Sequence, residues 1–227
     1  MAAVQNAAAA VGLCTPGGVV VCVEKQATSK LLAPPRRGAS DKVHAVDAHV
    51  FAATAGLASD ASILVGYARL CAQRYAYQYG EPQPVEALVQ LLCDYKHSYT
   101  QYGGLRPFGV AFLYAGWDRH HGFQLYQSDP SGNYSGWKAT AIGSNSTSAV
   151  ATLRQDFSET LSLPEAAKLA LRVLTKAMDT TAPSAEKVEV VLLTREGGAC
   201  VQRAMAAAEV DAMLAAIKSE GASAGDA

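Results

Sequence analysis

Residues 108–143, FGVAFLYAGWDRHHGFQLYQSDPSGNYSGWKATAIG, decide how the chain is built. Three apolar or alternating runs, FGVAFLYAGW, GFQLYQSD and GNYSGWKATAIG, are separated by the charged DRHH and by P-S-G, and they predict a meander of antiparallel strands. Between the last two, Asp129, Pro130, Ser131 and Gly132 predict a turn, because Pro presets φ at the second position and Gly suits the end. The same span holds an acid, Lys138, hydroxyls and glycines, which invites a phosphate-loop reading. That reading needs G-x-x-x-x-G-K-[S/T] or G-x-G-x-x-G leading into a helix, and neither occurs. No helix start follows S-G-N-Y-S-G, so a nucleotide-binding role ranks last.

Upstream of this span, Ala58 to Tyr79 and about Val85 to Tyr102 read as two long helices. Ser59 or Asp60 is the expected cap of the first, and Gly80, Pro82 and Pro84 stop it. The second carries Leu88, Leu91, Leu92 and Tyr95 on one side, with Gly103 and Gly104 as its left-handed cap. VGLCTPGGVVVCVEK (11–25) and KVHAVDAHVFAATAG (42–56) read as hairpins, and LLAPPRRGASDK (31–42) as a surface loop. Met1 to Ala10, rich in Ala and without a cap, reads as a helix whose beginning is missing. Downstream, Asn145 to Phe157 and Leu163 to Asp179 are expected helices, the latter with a Ser162/Glu165 capping box. VEVVLLTREGGACVQRA (188–204) is a last hairpin, followed by a short helix, Ala206 to Ile217, and an expected disordered tail at 219–227. Strand pairs alternating with helix pairs predict one α+β domain over residues 1–218, with sheets covered by helix layers.

Nineteen Lys+Arg against twenty Asp+Glu leave a formal charge of −1, so neither nucleic acid nor an anionic membrane is an expected partner. Every apolar run is interrupted well short of the roughly 20 residues of a membrane span. Cys14, Cys22, Cys71, Cys93 and Cys200 are odd in number and never paired as C-x-x-C, which argues for reduced, mostly buried thiols rather than disulfides or a zinc site. His44, His49, His97, His120 and His121 show no H-x-x-x-H or H-E-x-x-H spacing, and no G-x-S-x-G elbow is present. Neither a metal nor a cofactor is expected. Composition and spacing alone end at a soluble, oligomeric α+β domain.

Longer blocks go further. SDKVHAVDAHVFAATAGLASDA, YTQYGGLRPFGVAFLYAGWD and GFQLYQSDPSGNYSGWKATAIG, with AQRYAYQYGEP and SAEKVEVVLLTRE, closely resemble the alpha-subunit family of the 20S proteasome core particle, over about Met1 to Met213. The resemblance implies a four-layer αββα sandwich, two antiparallel sheets between helix layers, as in N-terminal-nucleophile hydrolases. Beta-type relatives of that fold cut peptides with an N-terminal Thr assisted by an acid and a Lys. Aligned through the G-V-V-V strand, those positions fall at Ala8, Glu24 and near Lys42. A methyl group cannot attack a carbonyl, and an internal residue has no free amine to act as base, so the resemblance implies a proteolytically dead chain with no catalytic residue.

What it implies instead is a structural subunit in ubiquitin-dependent protein degradation, in the cytoplasm and nucleus. Such subunits form heptameric rings with other alpha subunits, template the catalytic beta rings, restrict substrate entry and take the C-terminal tails of activators or regulatory particles. The tail pocket carries over to Lys42, Gly56 and Leu57, a cation and backbone donors for a carboxylate leaving water. The family's gate tail and following segment are not matched at the start, and its long charged C-terminal tail is replaced by SEGASAGDA. A stand-alone hydrolase is the alternative. It would require Thr15 or Ser40 to become N-terminal, and processing before Thr15 would remove the start of the first strand.

Overall fold

The computed structural model describes residues 2–25, 31, 41–178 and 184–223. Two five-stranded antiparallel sheets stack face to face. The first has the order β10-β9-β2-β1-β8, from β1 (Ala10–Thr15), β2 (Gly18–Glu24), β8 (Ala139–Ile142), β9 (Val188–Glu196) and β10 (Ala199–Ala204). The second has the order β3-β4-β5-β6-β7, from β3 (Val43–Asp47), β4 (Val50–Gly56), β5 (Val110–Asp118), β6 (Gly122–Ser128) and β7 (Tyr134–Gly136).

Side chains alternate across a strand, so each strand feeds two cores. In β2, Val19, Val21 and Val23 enter the space between the sheets, whereas Val20 and Cys22 face a helix layer. In β5, Ala111, Leu113 and Ala115 enter the same inter-sheet core, and Val110, Phe112 and Tyr114 face the other layer. This double burial explains why these strands read as nearly unbroken apolar runs. One layer is α2 (Ala58–Tyr79) and α3 (Val85–Gln101); the other is α4 (Ser146–Asp156), α5 (Leu163–Ala177) and α6 (Ala207–Ser223). The architecture is αββα.

The Asp129 turn forms as expected: Asp129 Oδ1 accepts from the N–H groups of Ser131 (2.8 Å) and Asn133 (3.2 Å), and Gly132 takes φ 90°. It is also seated on α3, since a Cβ at Gly132 would lie 2.5 Å from Cys93 O. The third expected strand of the meander, however, is two strands. β7 pairs with β6, but β8 crosses to the other sheet and pairs with β1, Ala10 opposite Ile142. The change happens between Trp137, whose N–H donates to Leu125 O, and Lys138, whose carbonyl accepts from Cys14 N. A corner of this kind keeps extended backbone and period-two alternation on both sides.

Several helix ends also differ from expectation. α1 covers only Ala2–Gln5, because by Ala10 the backbone is already committed to pairing with Val23. Leu57 is the N-cap of α2 without a side-chain bond, and α3 ends on extended Tyr102, with Gly104 in the left-handed region two residues later. α6 runs past Ile217 to Ser223. Glu165 of the capping box does accept from Ser162 N (2.9 Å), and Gly80 at φ 70° closes α2. Most of the expected loop 31–42, including Ser40, lies outside the described residues, as do residues 224–227 of the expected tail.

Asp60 is not a cap because a distant partner takes it. Its carboxylate binds the Arg106 guanidinium with both oxygens (2.7 and 2.9 Å) and accepts from Gly109 N at 2.9 Å. That guanidinium holds the carboxyl below its ordinary value, against burial and with help from the Gly109 N–H. Asp60→Asn is expected to lose about 2 kcal/mol at neutral pH, the exposed guanidinium contributing less than a buried one would. The contribution is fully present above the ordinary carboxylate pKa of 3.8 and is lost as pH falls through the lowered value. Urea midpoints of the two proteins should therefore converge in acid; a gap that persists would contradict the assignment.

Candidate functional site

Because β1 and β2 are antiparallel, the start of one and the end of the other meet at the same end of the sandwich. There Glu24 N donates to Ala9 O (3.0 Å), and Glu24 Oε2 in return accepts from Ala9 N (3.2 Å). Lys42, just before β3, reaches across the sheets and donates from Nζ to Ala8 O at 3.0 Å. Residue 8 is a buried methyl, and its nitrogen is bonded to Ala7, whose carbonyl accepts from Ser144 N (2.8 Å). Gly143 closes the wall: at φ 93°, a Cβ there would lie 2.7 Å from Ala8 O. Ala8, Glu24 and Lys42, separated by up to 34 residues, thus converge on one spot.

Burial pulls the Lys42 ammonium down to about 8, and the Glu24 charge opposes that drop. Among the described residues the spot holds a carboxylate and a cation of lowered basicity, and residue 8 itself carries only a methyl. The lysine is engaged with a backbone carbonyl.

The three expected tail-pocket residues share this end of the β3–β4 pair. Lys42 O accepts from Thr54 N at 2.9 Å, two residues before Gly56, which ends β4, and Leu57 opens α2. Leu57 N donates to Gly109 O (3.0 Å), while its side chain is 44% exposed. Gly56 is confined: at φ 138°, a Cβ would meet Gly109 O at 2.1 Å. The three are therefore neighbours, with the Lys42 side chain turned inward toward Ala8.

The histidines are scattered. His49 is buried with Nε2 2.8 Å from Gln83 O, His44 is half-buried on β3, His97 contacts Ser131 O from α3, and His120 and His121 sit at the β5–β6 turn. All five cysteines are free thiols. Burial raises Cys14 and Cys93 to about 11 and Cys22 further, which removes them as nucleophiles at neutral pH.

One group escaped sequence reasoning. Lys96 is 0% exposed, on the core face of α3, and its ammonium donates to Ser128 Oγ (2.8 Å), Val110 O (3.3 Å) and Asp129 O (3.4 Å), with Phe112 4.6 Å away. The signal was there in the series Leu88, Leu92, Lys96, which continues an apolar face by steps of four.

The family described as "Proteasome subunit" matches residues 4–193. Among similar proteins, "Proteasome subunit alpha type-4" of Dictyostelium discoideum is 54% identical over 215 residues, 94% of this chain and 86% of that protein. "Proteasome subunit alpha type-4-2" of Oryza sativa subsp. indica is 57% identical over 190 residues, 84% of this chain and 75% of that one. "Proteasome subunit alpha type-4" of Petunia hybrida is 50% identical over 214 residues, 94% and 85% of the two chains.

Proposed function

The chain belongs to the proteasome subunit family, as an alpha-type subunit of the 20S core, and from that premise we propose that it is a non-catalytic ring member that docks activator tails. The observation that carries the non-catalytic reading is residue 8. Where the fold's catalytic relatives need an N-terminal hydroxyl, this chain has an internal Ala8 whose carbonyl occupies the Lys42 ammonium. Residue 8 therefore offers neither a hydroxyl nor a free α-amine. A peptide epoxyketone, which needs both a hydroxyl nucleophile and a free α-amine, is expected to label beta-type subunits of the particle and leave this chain's mass unchanged. An adduct on this chain would overturn the reading.

Partners on either side are other alpha subunits, with beta subunits on the inner face. An exposed apolar row on α2 supports a role in assembly: Ile63 (55% exposed), Leu70 (51%) and Tyr77 (95%) recur every seven residues on the side turned away from the core. Such a row is what a neighbouring subunit would cover. On the outer face, Lys42, Gly56 and Leu57 form this chain's half of a tail pocket. Tail binding requires the Lys42 ammonium to exchange Ala8 O for a carboxylate, which is a stronger, charge-assisted partner. Lys42→Met is expected to weaken binding of an activator-tail peptide to the particle by at least about tenfold; equal affinity would remove Lys42 from the pocket. The same reading assigns the subunit to cytoplasm and nucleus, a setting that suits five free thiols.

A further inference from the structure

At the end of the sandwich opposite Ala8, the β3–β4, β5–β6 and β9–β10 turns and the α2–α3 connection enclose a cavity of about 360 Å3. Its walls are largely apolar, with Pro82, Pro84, Ala199 and the Trp117 indole among them. Two polar groups give it a chemical preference. His49, 6% exposed, places Nε2 2.8 Å from Gln83 O, and a carbonyl oxygen can only accept. In the neutral ring Nε2 therefore carries the proton, and Nδ1 is left with a lone pair. Among the described residues Nδ1 makes no hydrogen bond; it lies 3.7 Å from Asp47 Oδ2, an ion-pair separation if the ring is protonated but too long for a hydrogen bond, and both residues line the cavity. With the ring neutral, no donor among the described residues sits between these two acceptors.

The charges around the cavity indicate which donor fits. Glu81 is matched by Arg119 at 2.7 Å. Asp118 accepts from the backbone N–H groups of Val85, His120 and His121 and from Gln124 Nε2, so its charge is fully solvated by protein. Among the described residues the Asp47 carboxylate accepts a hydrogen bond only from the Ala48 N–H (2.7 Å, on Oδ1), and its side chain is 18% exposed. Arg195 lies over Trp117 at 4.2 Å with its Nε donating to Gly198 O, so that cation is held on the indole. Among the described residues Asp47 is therefore the cavity's carboxylate with no Lys or Arg partner and no strong set of hydrogen bonds, and it sits beside an imidazole that can accept, at the edge of an apolar chamber.

We propose that this cavity binds a protonated amine carried on an apolar body, with the ammonium bridging Asp47 Oδ2 and His49 Nδ1 and the body lying against Pro82, Pro84 and Trp117. Its volume falls at the low end of the usual range for small-ligand sites. The amine has two possible sources, a free arylalkylamine or a basic side chain of an adjoining subunit. The proposal is independent of the tail pocket, which lies at the other end of the sandwich.

The test is carbodiimide and glycine ethyl ester labelling of Asp47, read by peptide mass spectrometry against the exposed Glu196. It is run on the full-length separated subunit and on the assembled particle. The probes are 4-fluorophenethylamine and its neutral counterpart, 2-(4-fluorophenyl)ethanol; because the amine can itself capture an activated carboxylate, only label lost at Asp47 beyond that lost at Glu196 counts as protection. On the separated subunit the amine is expected to protect Asp47 at a concentration at least tenfold lower than the alcohol. The particle then identifies the source: Asp47 open to label until amine is added indicates a free amine, and Asp47 already protected indicates a neighbour's basic side chain. Equal protection by amine and alcohol, no protection by either, or an Asp47 that never labels would each overturn the proposal.

Discussion

Gly56→Ala is expected to destabilise the subunit by about 4 kcal/mol, combining left-handed-side backbone strain with overpacking against a neighbouring strand. The added methyl would stand 2.1 Å from Gly109 O and 2.8 Å from Val110 Cα, both backbone atoms that cannot swing aside. φ is 138° at this position, which an L side chain rarely accepts. β4 and β5 are paired there, Gly56 opposite Val110, and Leu57 N bonds Gly109 O one residue on, so relief would unzip the strand end that starts α2. Unfolding in urea measures the loss. A change below about 1 kcal/mol would mean that the β4–α2 junction is far more compliant than its contacts indicate. The residue's place in the proposed tail pocket thus follows from backbone geometry: only glycine lets β4 turn into α2 beside Lys42.

The second large effect concerns pH. Burial lowers the Lys96 ammonium from 10.5 to about 8, with the Cys93 and Asp129 charges pulling weakly the other way. Since tenfold in proton affinity is worth about 1.4 kcal/mol, the charged form costs the fold about 3 kcal/mol. The unfolded chain holds this proton up to its ordinary value, so between the two values it binds more protons than the folded chain. The penalty is in full force below about 8 and is relieved as pH rises toward 10.5. Relative to Lys96→Met, which cannot titrate, the wild type should gain about 2–3 kcal/mol between pH 7 and pH 10. Ionisation of the thiols and phenols away from Lys96 is common to both proteins and cancels in the difference, and Cys93, whose thiol the Lys96 charge lowers, is held as Ala in both. Parallel stability profiles would show that Lys96 keeps its ordinary basicity.

Much of the layering was legible because it is written in local alternation. GVVVCV and VAFLYA place odd and even residues in different cores, and the Ser162/Glu165 box and the Asp129 turn are settled within a few residues. What was not legible depends on partners far away in sequence. Asp60 looks like a helix cap until Arg106, 46 residues on, takes its carboxylate. The passage from β7 to β8 looks like one strand, since nothing in Gly136, Trp137 and Lys138 says that the chain changes sheets. Lys96 escaped notice because the three acceptors that hold its ammonium come from other elements.

The site divides the same way. Lys42 was identifiable by resemblance, but the direction of its side chain is set by a carbonyl 34 residues earlier. The Asp47–His49 cavity exists only where several turns and a helix connection meet.

Native mass spectrometry of the particle that contains this chain, followed by dissociation of its rings, tests the central claim most directly. The account predicts a four-ring assembly with one copy of this chain in each outer ring and beta-type subunits between them. A monomer or small homo-oligomer that cleaves peptides by itself would contradict it.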